Sequence, residues 1–321
     1  MEKRIEHFDA IKGLAIILVV LGHVLQRSFG QHVNVFETII YSFHMALFMF
    51  VSGYFSYSIN KSNTGILKFI TKKFRQLIIP FFLIGGFYSF IFSNMYSFIF
   101  SSFKMGYWFL YVLFVISVFH YLVSRIKHET LQFIGYFILL LLFLWIRQFL
   151  NDDLFSIKFI SGNYPFFLLG YFVHKYLKYD KYIINNNVVS IALFLFIIVI
   201  TASLNYGFYN SSIRFVLRLF AIVFFYGFFK NMSSCQLLSK LAWIGKNSIY
   251  IYVFHYFFIE GLVIVPIEGY MLQLIFSMVV ALVITFISVY IGHMCDASNL
   301  VSTCIFGKSK TIIKNTYFPK I

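Results

Sequence analysis

The sequence predicts an all-α, polytopic membrane protein, and three observations predict it. Hydrophobic residues make up 60% of the 321, charged residues only 12% and aromatic residues 22%, with 45 Phe and 23 Tyr, a composition far from that of water-soluble domains. Apolar runs of roughly 17 to 25 residues, the length that carries a helix across the hydrocarbon, recur along the whole chain, giving a mean hydropathy of +0.84. Lys and Arg gather in alternate gaps between those runs, where they favour the cytoplasmic side.

The runs, divided by polar clusters, are 8–27, 36–59, 77–100, 107–124, 131–150, 160–177, 187–206, 212–229, 247–266 and 270–294, about ten transmembrane helices. The first follows Met1-Glu2-Lys3-Arg4 but contains Lys12 and His23 and has no small-residue cleavage site, so it is expected as a retained helix and not a signal peptide. Between the second and third runs, Lys68, Lys72, Lys73 and Arg75 fall in a segment from Gly65 to Pro80, which is expected to form an interfacial helix. The sixth run is interrupted by Gly162 and Pro165, and Asn247 or Ser248 is the expected N-cap of the ninth. Most of the 26 Lys and Arg fall at the N-terminus, in the even-numbered gaps and in the tail. That asymmetry predicts an N-in, C-in topology, with a membrane-embedded domain over 1–294 and a cytoplasmic tail over 295–321.

A formal net charge of +15 would suggest nucleic acid in a soluble chain, but here the cations sit between apolar runs and read as topology signals, so no nucleic-acid partner is expected. Cys235, Cys295 and Cys304 are too scattered for a disulfide framework, and no Cys/His spacing suits zinc, so no metal is expected. Internal repeats are absent, and the gaps are short enough that any chemistry must come from residues on the helices or at their ends.

An ionisable side chain inside a span costs about 2.5–3.5 kcal/mol for Lys or Asp at its centre, so each one requires a reason. In the first run, Lys12 and His23 are eleven residues apart, about three turns and about 16 Å along one face, and Asp9 is three residues before Lys12, close enough to pair with it. Lys12 reads equally well as a snorkelling cation. His23 is too deep to snorkel, and an imidazole serves as a base near neutral pH. His44 on the second run and His255 on the ninth fall at comparable depth. Three histidines on separate helices imply a polar cavity, whereas Ser52 and Gly53 read as close-packing residues.

These residues resemble a known family. Asp9-x-x-Lys12-Gly13 leading to Gly22-His23, Phe43-His44-Met45 through Ser52-Gly53-Tyr54, Lys72-Lys73-x-Arg75 before Pro80, Trp108-Phe-Leu, Pro165-Phe-Phe-Leu-Leu-Gly170-Tyr171 and Ile244-Gly-Lys-Asn-Ser through His255 are similar to the integral membrane acyltransferase family 3, especially its fucose 4-O-acetylase branch. The likeness runs in order through nearly the whole chain. It implies transfer of an acetyl or other short acyl group from acetyl-CoA to a glycan or lipid-linked sugar at the bacterial cytoplasmic membrane. On this resemblance His23 is the catalytic group, as general base or acyl carrier, assisted by Asp9 and His44. Lys12, Lys72, Lys73 and Arg75 hold the cofactor phosphates, and Trp108 and His255 contact the acceptor. Lys12 stands where many relatives carry Arg, and lacks its two-pronged contact. Ala46 stands where relatives often have Pro. A transporter or flippase for a lipid-linked sugar would also place ionisable residues in the membrane, but would more often show repeated halves. A sensor or scaffold leaves the three histidines unexplained.

Overall fold

A computed structural model describes residues 5–29, 35–61, 65–150, 155–207, 209–263 and 267–308, and every regular element among them is helical. In chain order these are α1 (Glu6–Ser28), α2 (Val35–Lys61), α3 (Ile66–Ile91), α4 (Met95–Phe100), α5 (Trp108–Ser124), α6 (Glu129–Phe149), α7 (Ile157–Lys175), α8 (Asn186–Tyr206), α9 (Ser211–Asn231), α10 (Gln236–Lys246), α11 (Ser248–Glu260), α12 (Tyr270–Asp296) and α13 (Asn299–Phe306). Seven of the described helices, α1, α2, α3, α6, α8, α9 and α12, are long and apolar enough to cross a membrane. The chain is a polytopic membrane protein.

The remaining three expected spans take other forms. The fourth is the 17-residue α5, the sixth is α7 with Pro165 inside it, and the ninth is the 13-residue α11, which ends at Glu260; residues 264–266 of that run lie outside the described residues. The third run differs most. Helix begins at Ile66, so the expected interfacial helix from Gly65 to Pro80 is the first half of α3, and α3 ends at Ile91 with α4 separate. At 26 residues α3 is about 39 Å long, more than the roughly 30 Å hydrocarbon layer, so its cationic first turns extend beyond it. Two π-helical stretches, Phe74–Ile78 and Phe81–Gly85, flank Pro80. Pro80 has no N–H to give, and a wider turn accommodates the missing bond. Asn247 precedes α11 without capping it; its amide donates instead to the Trp243 carbonyl at 2.9 Å, closing the end of α10. Lys3 and Arg4 and tail residues 309–321 lie outside the described residues, and 299–306 of the expected tail is helical.

The chain divides into two compact units. The first, residues 1–61 and 162–287, is organised around α1, which packs against α2, α9, α10 and α11. Helix packing within lipid gains little from water exclusion and depends on close backbone approach. Gly13 on α1 lies against the Leu241 carbonyl and Gly245 of α10, and Gly245 lies against the Asp9 carbonyl; Gly53 on α2 meets the Phe167 backbone, and Gly170 on α7 meets Phe50. A Cβ at any of these four positions would collide with backbone. At one end of the unit, Asp180 on the short helix Asp180–Ile183 pairs with Lys230 and accepts from the Tyr226 hydroxyl at 2.9 Å.

The second unit, residues 62–161 and 288–321, contains α3 to α6 and α13. Phe69 of α3 stacks on Tyr121 of α5 at 3.8 Å, and Gly307, after α13, lies against the backbone of Arg75 and Gln76. On α6, Phe133, Phe137, Leu141 and Trp145, one turn apart, are all exposed, as expected of a face solvated by lipid tails.

Candidate active site

His23 comes from the C-terminal half of α1 and is half-buried. Both of its ring nitrogens face tyrosine hydroxyls: Nδ1 is 3.0 Å from Tyr41 of α2, and Nε2 is 2.8 Å from Tyr256 of α11. The Tyr41 hydroxyl also lies 3.3 Å from Gln26 Oε1. An amide oxygen only accepts, so Tyr41 spends its one proton on Gln26 and must accept from His23. This assigns the His23 proton to Nδ1 and leaves the Nε2 lone pair to accept from the Tyr256 hydroxyl.

The other two histidines close around this group. The His255 ring stacks on His23 with centroids 5.7 Å apart, and Tyr41 is 5.3 Å from His44. Both are buried and both anchor Nδ1 to backbone one turn back, His44 to the Ile40 carbonyl at 2.7 Å and His255 to those of Ile251 and Tyr252 at 3.0 and 2.9 Å. With Nδ1–H donating, His255 Nε2 is a buried acceptor without a hydrogen bond. The three histidines singled out in the sequence thus form one cluster, α1, α2 and α11 supplying one each. Arg27, on α1 after His23, pairs at 3.2 Å with Glu260, on α11 after His255.

Sequence reasoning missed Tyr41, Tyr256 and Gln26. Helical spacing was the signal for two of them, since Tyr41 precedes His44 by three residues and Gln26 follows His23 by three, whereas Tyr256 adjoins His255 and has no such signal.

Lys12 pairs with Asp9 at 2.6 Å, as their spacing predicts, and Asp9 is buried, its second oxygen without a partner. In the second unit, Lys72 is exposed while Lys73 and Arg75 are half-buried. Lys73 Nζ lies 5.8 Å above the Phe69 ring, and the Arg75 Nε is buried with no acceptor. These are donors available to an anion. Trp108 is buried in the same unit, one face covered by Phe159 at 4.3 Å, which leaves that face unavailable to a sugar. Among the described residues, no three His, Cys, Asp or Glu side chains are grouped to hold a metal ion.

Set against known proteins, residues 5–293 match the acyltransferase-domain model of acyltransferase family 3. The chain belongs to this family. Two relatives of this chain carry the name nodulation protein NolL. That of Sinorhizobium fredii is 41% identical over 78 residues, 23% of this chain and 21% of the relative, and that of Mesorhizobium japonicum is 39% identical over 80 residues with the same shares. The matched stretch therefore spans about a fifth of each relative's length. No solved structure matches the acyltransferase.

Proposed function

We propose that this acyltransferase moves an acetyl, or other short acyl, group from cytoplasmic acyl-CoA to a hydroxyl of a cell-surface or lipid-linked glycan at the bacterial cytoplasmic membrane, in an N-in, C-in arrangement. What supports the reading is the His23 imidazole, whose tautomer is fixed by Tyr41 and Gln26 so that Nε2 is the basic nitrogen. Nε2 removes the proton from the acceptor hydroxyl; the oxygen attacks the thioester carbonyl, the C–S bond breaks, and the imidazolium returns its proton to the leaving CoA sulfur. In the alternative route Nε2 itself holds the acyl group before the glycan oxygen takes it. Once Nε2 has taken the proton it no longer accepts from Tyr256, 2.8 Å away, and that hydroxyl can then donate to the oxyanion that develops.

His255 and His44 hold the cluster in register, and Asp9 offsets the charge of Lys12. Lys73 and Arg75, with the exposed Lys72, are the groups proposed to hold the cofactor phosphates. The test is His23→Ala and His23→Gln in purified protein, with labelled acetyl-CoA and glycan isolated from the producing cell. Both variants should lose transfer by at least about 100-fold while binding CoA as before. Transfer at the original rate in either variant removes this mechanism, and an acylated His23 peptide after rapid quenching would select the covalent route.

A further inference from the structure

Helix α9 carries two arginines one turn apart, Arg214 and Arg218, that the chemistry described so far does not use. The Arg218 side chain is directed into the first unit. One terminal nitrogen donates to the Gly162 carbonyl at 3.2 Å, and the guanidinium lies 5.5 Å from the Phe166 ring centre. Its Nε is buried with no acceptor. Arg214 lies 5.5 Å over the Tyr209 ring, and the Tyr209 hydroxyl reaches the Thr38 carbonyl at 3.5 Å. None of the ion pairs among the described residues supplies a carboxylate to either arginine.

Like charges four residues apart on a helix repel, and an unneutralised guanidinium in a span is costly. Phe166 and Gly162 explain how Arg218 is held, not why a second cation stands beside it. The placement relates the pair to the histidines. Tyr209 touches the start of α2, which carries Tyr41 and His44, and Phe225, two turns beyond Arg218, stacks on Phe43 at 5.3 Å. Arg218 is close enough to His44 for the two to interact electrostatically.

We propose that Arg218 and Arg214 form a binding site for an oxyanion, a phosphate or carboxylate, carried by the glycan acceptor. This rests on the acyltransferase reading and names its acceptor class: an anionic sugar, held by its charged group while a hydroxyl meets His23. An idle Nε on a guanidinium that spends one terminal nitrogen on Gly162 and keeps the other for a ligand is the two-pronged donor that such a group accepts from.

The experiment is equilibrium binding to lipid-depleted, detergent-purified protein saturated with CoA, so that the cofactor cations are occupied. The probes are methyl glucuronide, glucose 1-phosphate, neutral methyl glucoside and the short-chain lipid dihexanoyl-phosphatidylglycerol. At least one anionic sugar should bind about tenfold or more tighter than methyl glucoside, the effect of charge-assisted hydrogen bonds, and added salt should weaken it. Arg218→Gln should erase the difference, Arg218→Lys should keep part of it, and Arg214→Gln serves if the first variant misfolds. His23→Ala should bind the anionic sugars normally, so the site is read even if acyl transfer fails. Equal binding of charged and neutral sugars, undiminished binding by Arg218→Gln and Arg214→Gln, displacement by excess CoA, or binding of the phospholipid alone would each overturn the proposal.

Discussion

Replacing Tyr41 with Phe removes one oxygen and keeps the ring. In the structure that oxygen accepts the His23 Nδ1 proton at 3.0 Å and passes its own proton to Gln26. Without it, the Nδ1–H is left in a half-buried site with no acceptor, at a cost of about 1–3 kcal/mol. The imidazole can escape that cost by carrying its proton on Nε2 and donating to Tyr256, but Nε2 is then no longer a base. Each 1.36 kcal/mol is tenfold in rate, so Tyr41→Phe should lower kcat by about 10- to 100-fold with little change in KM for acyl-CoA. The loss should be smaller than that of His23→Ala, because the imidazole is still present. Steady-state release of CoA thiol with saturating acceptor gives both constants, and the two-dimensional ¹⁵N–¹H spectrum of ring-labelled histidine reports the tautomer directly. Wild-type kcat in Tyr41→Phe, or an Nε2–H tautomer in the unmodified protein, would refute the assignment of Nε2 as the base.

Three further outcomes follow from other contacts. Gly13→Ala and Gly245→Ala should each lower stability by about 1–3 kcal/mol or more, seen as a fall in Tm in detergent, whereas Gly65→Ala, with nothing near its added carbon, should not. Asp180→Asn leaves the Lys230 ammonium without its counter-charge and should cost about 1–3 kcal/mol, while acyl transfer per folded molecule stays unchanged. Arg75→Gln and Lys73→Gln should raise KM for acyl-CoA severalfold more than substitution of the exposed Lys72, with the differences shrinking as salt rises; equal KM values in all three would remove these cations from the cofactor site.

Long apolar runs made the spans legible to within a few residues, as in α8, expected over 187–206 and found at Asn186–Tyr206. Where length and charge conflicted, the boundary was less legible: the cations expected in a separate interfacial helix belong to the first turns of α3, which runs on without a break to Ile91. Helix α10, eleven residues, is too short to register as a span and was read as part of a cytoplasmic gap. The histidines stood out because a titratable ring in lipid needs a reason, and they do converge. Their tyrosine partners did not stand out, since a chain with 23 Tyr offers no contrast to single out two of them. The arginines of α9 did not stand out, because nothing in their spacing distinguishes a buried donor from a surface charge.

The meeting of Gly13 and Gly245 acts as a common datum for the reacting groups. Ten residues beyond it on α1, about 15 Å at 1.5 Å per residue, stands His23, and past the turn at Asn247, eight residues after Ser248 and about 12 Å along α11, stands Tyr256. Because bare peptide meets bare peptide at that datum, the alignment of imidazole and phenol inherits the tolerance of main-chain geometry and not that of rotatable side chains. A methyl group inserted there would push α1 and α10 apart and displace His23 relative to Tyr256, so its first chemical symptom should be a lengthened bond between them, far from the site of substitution.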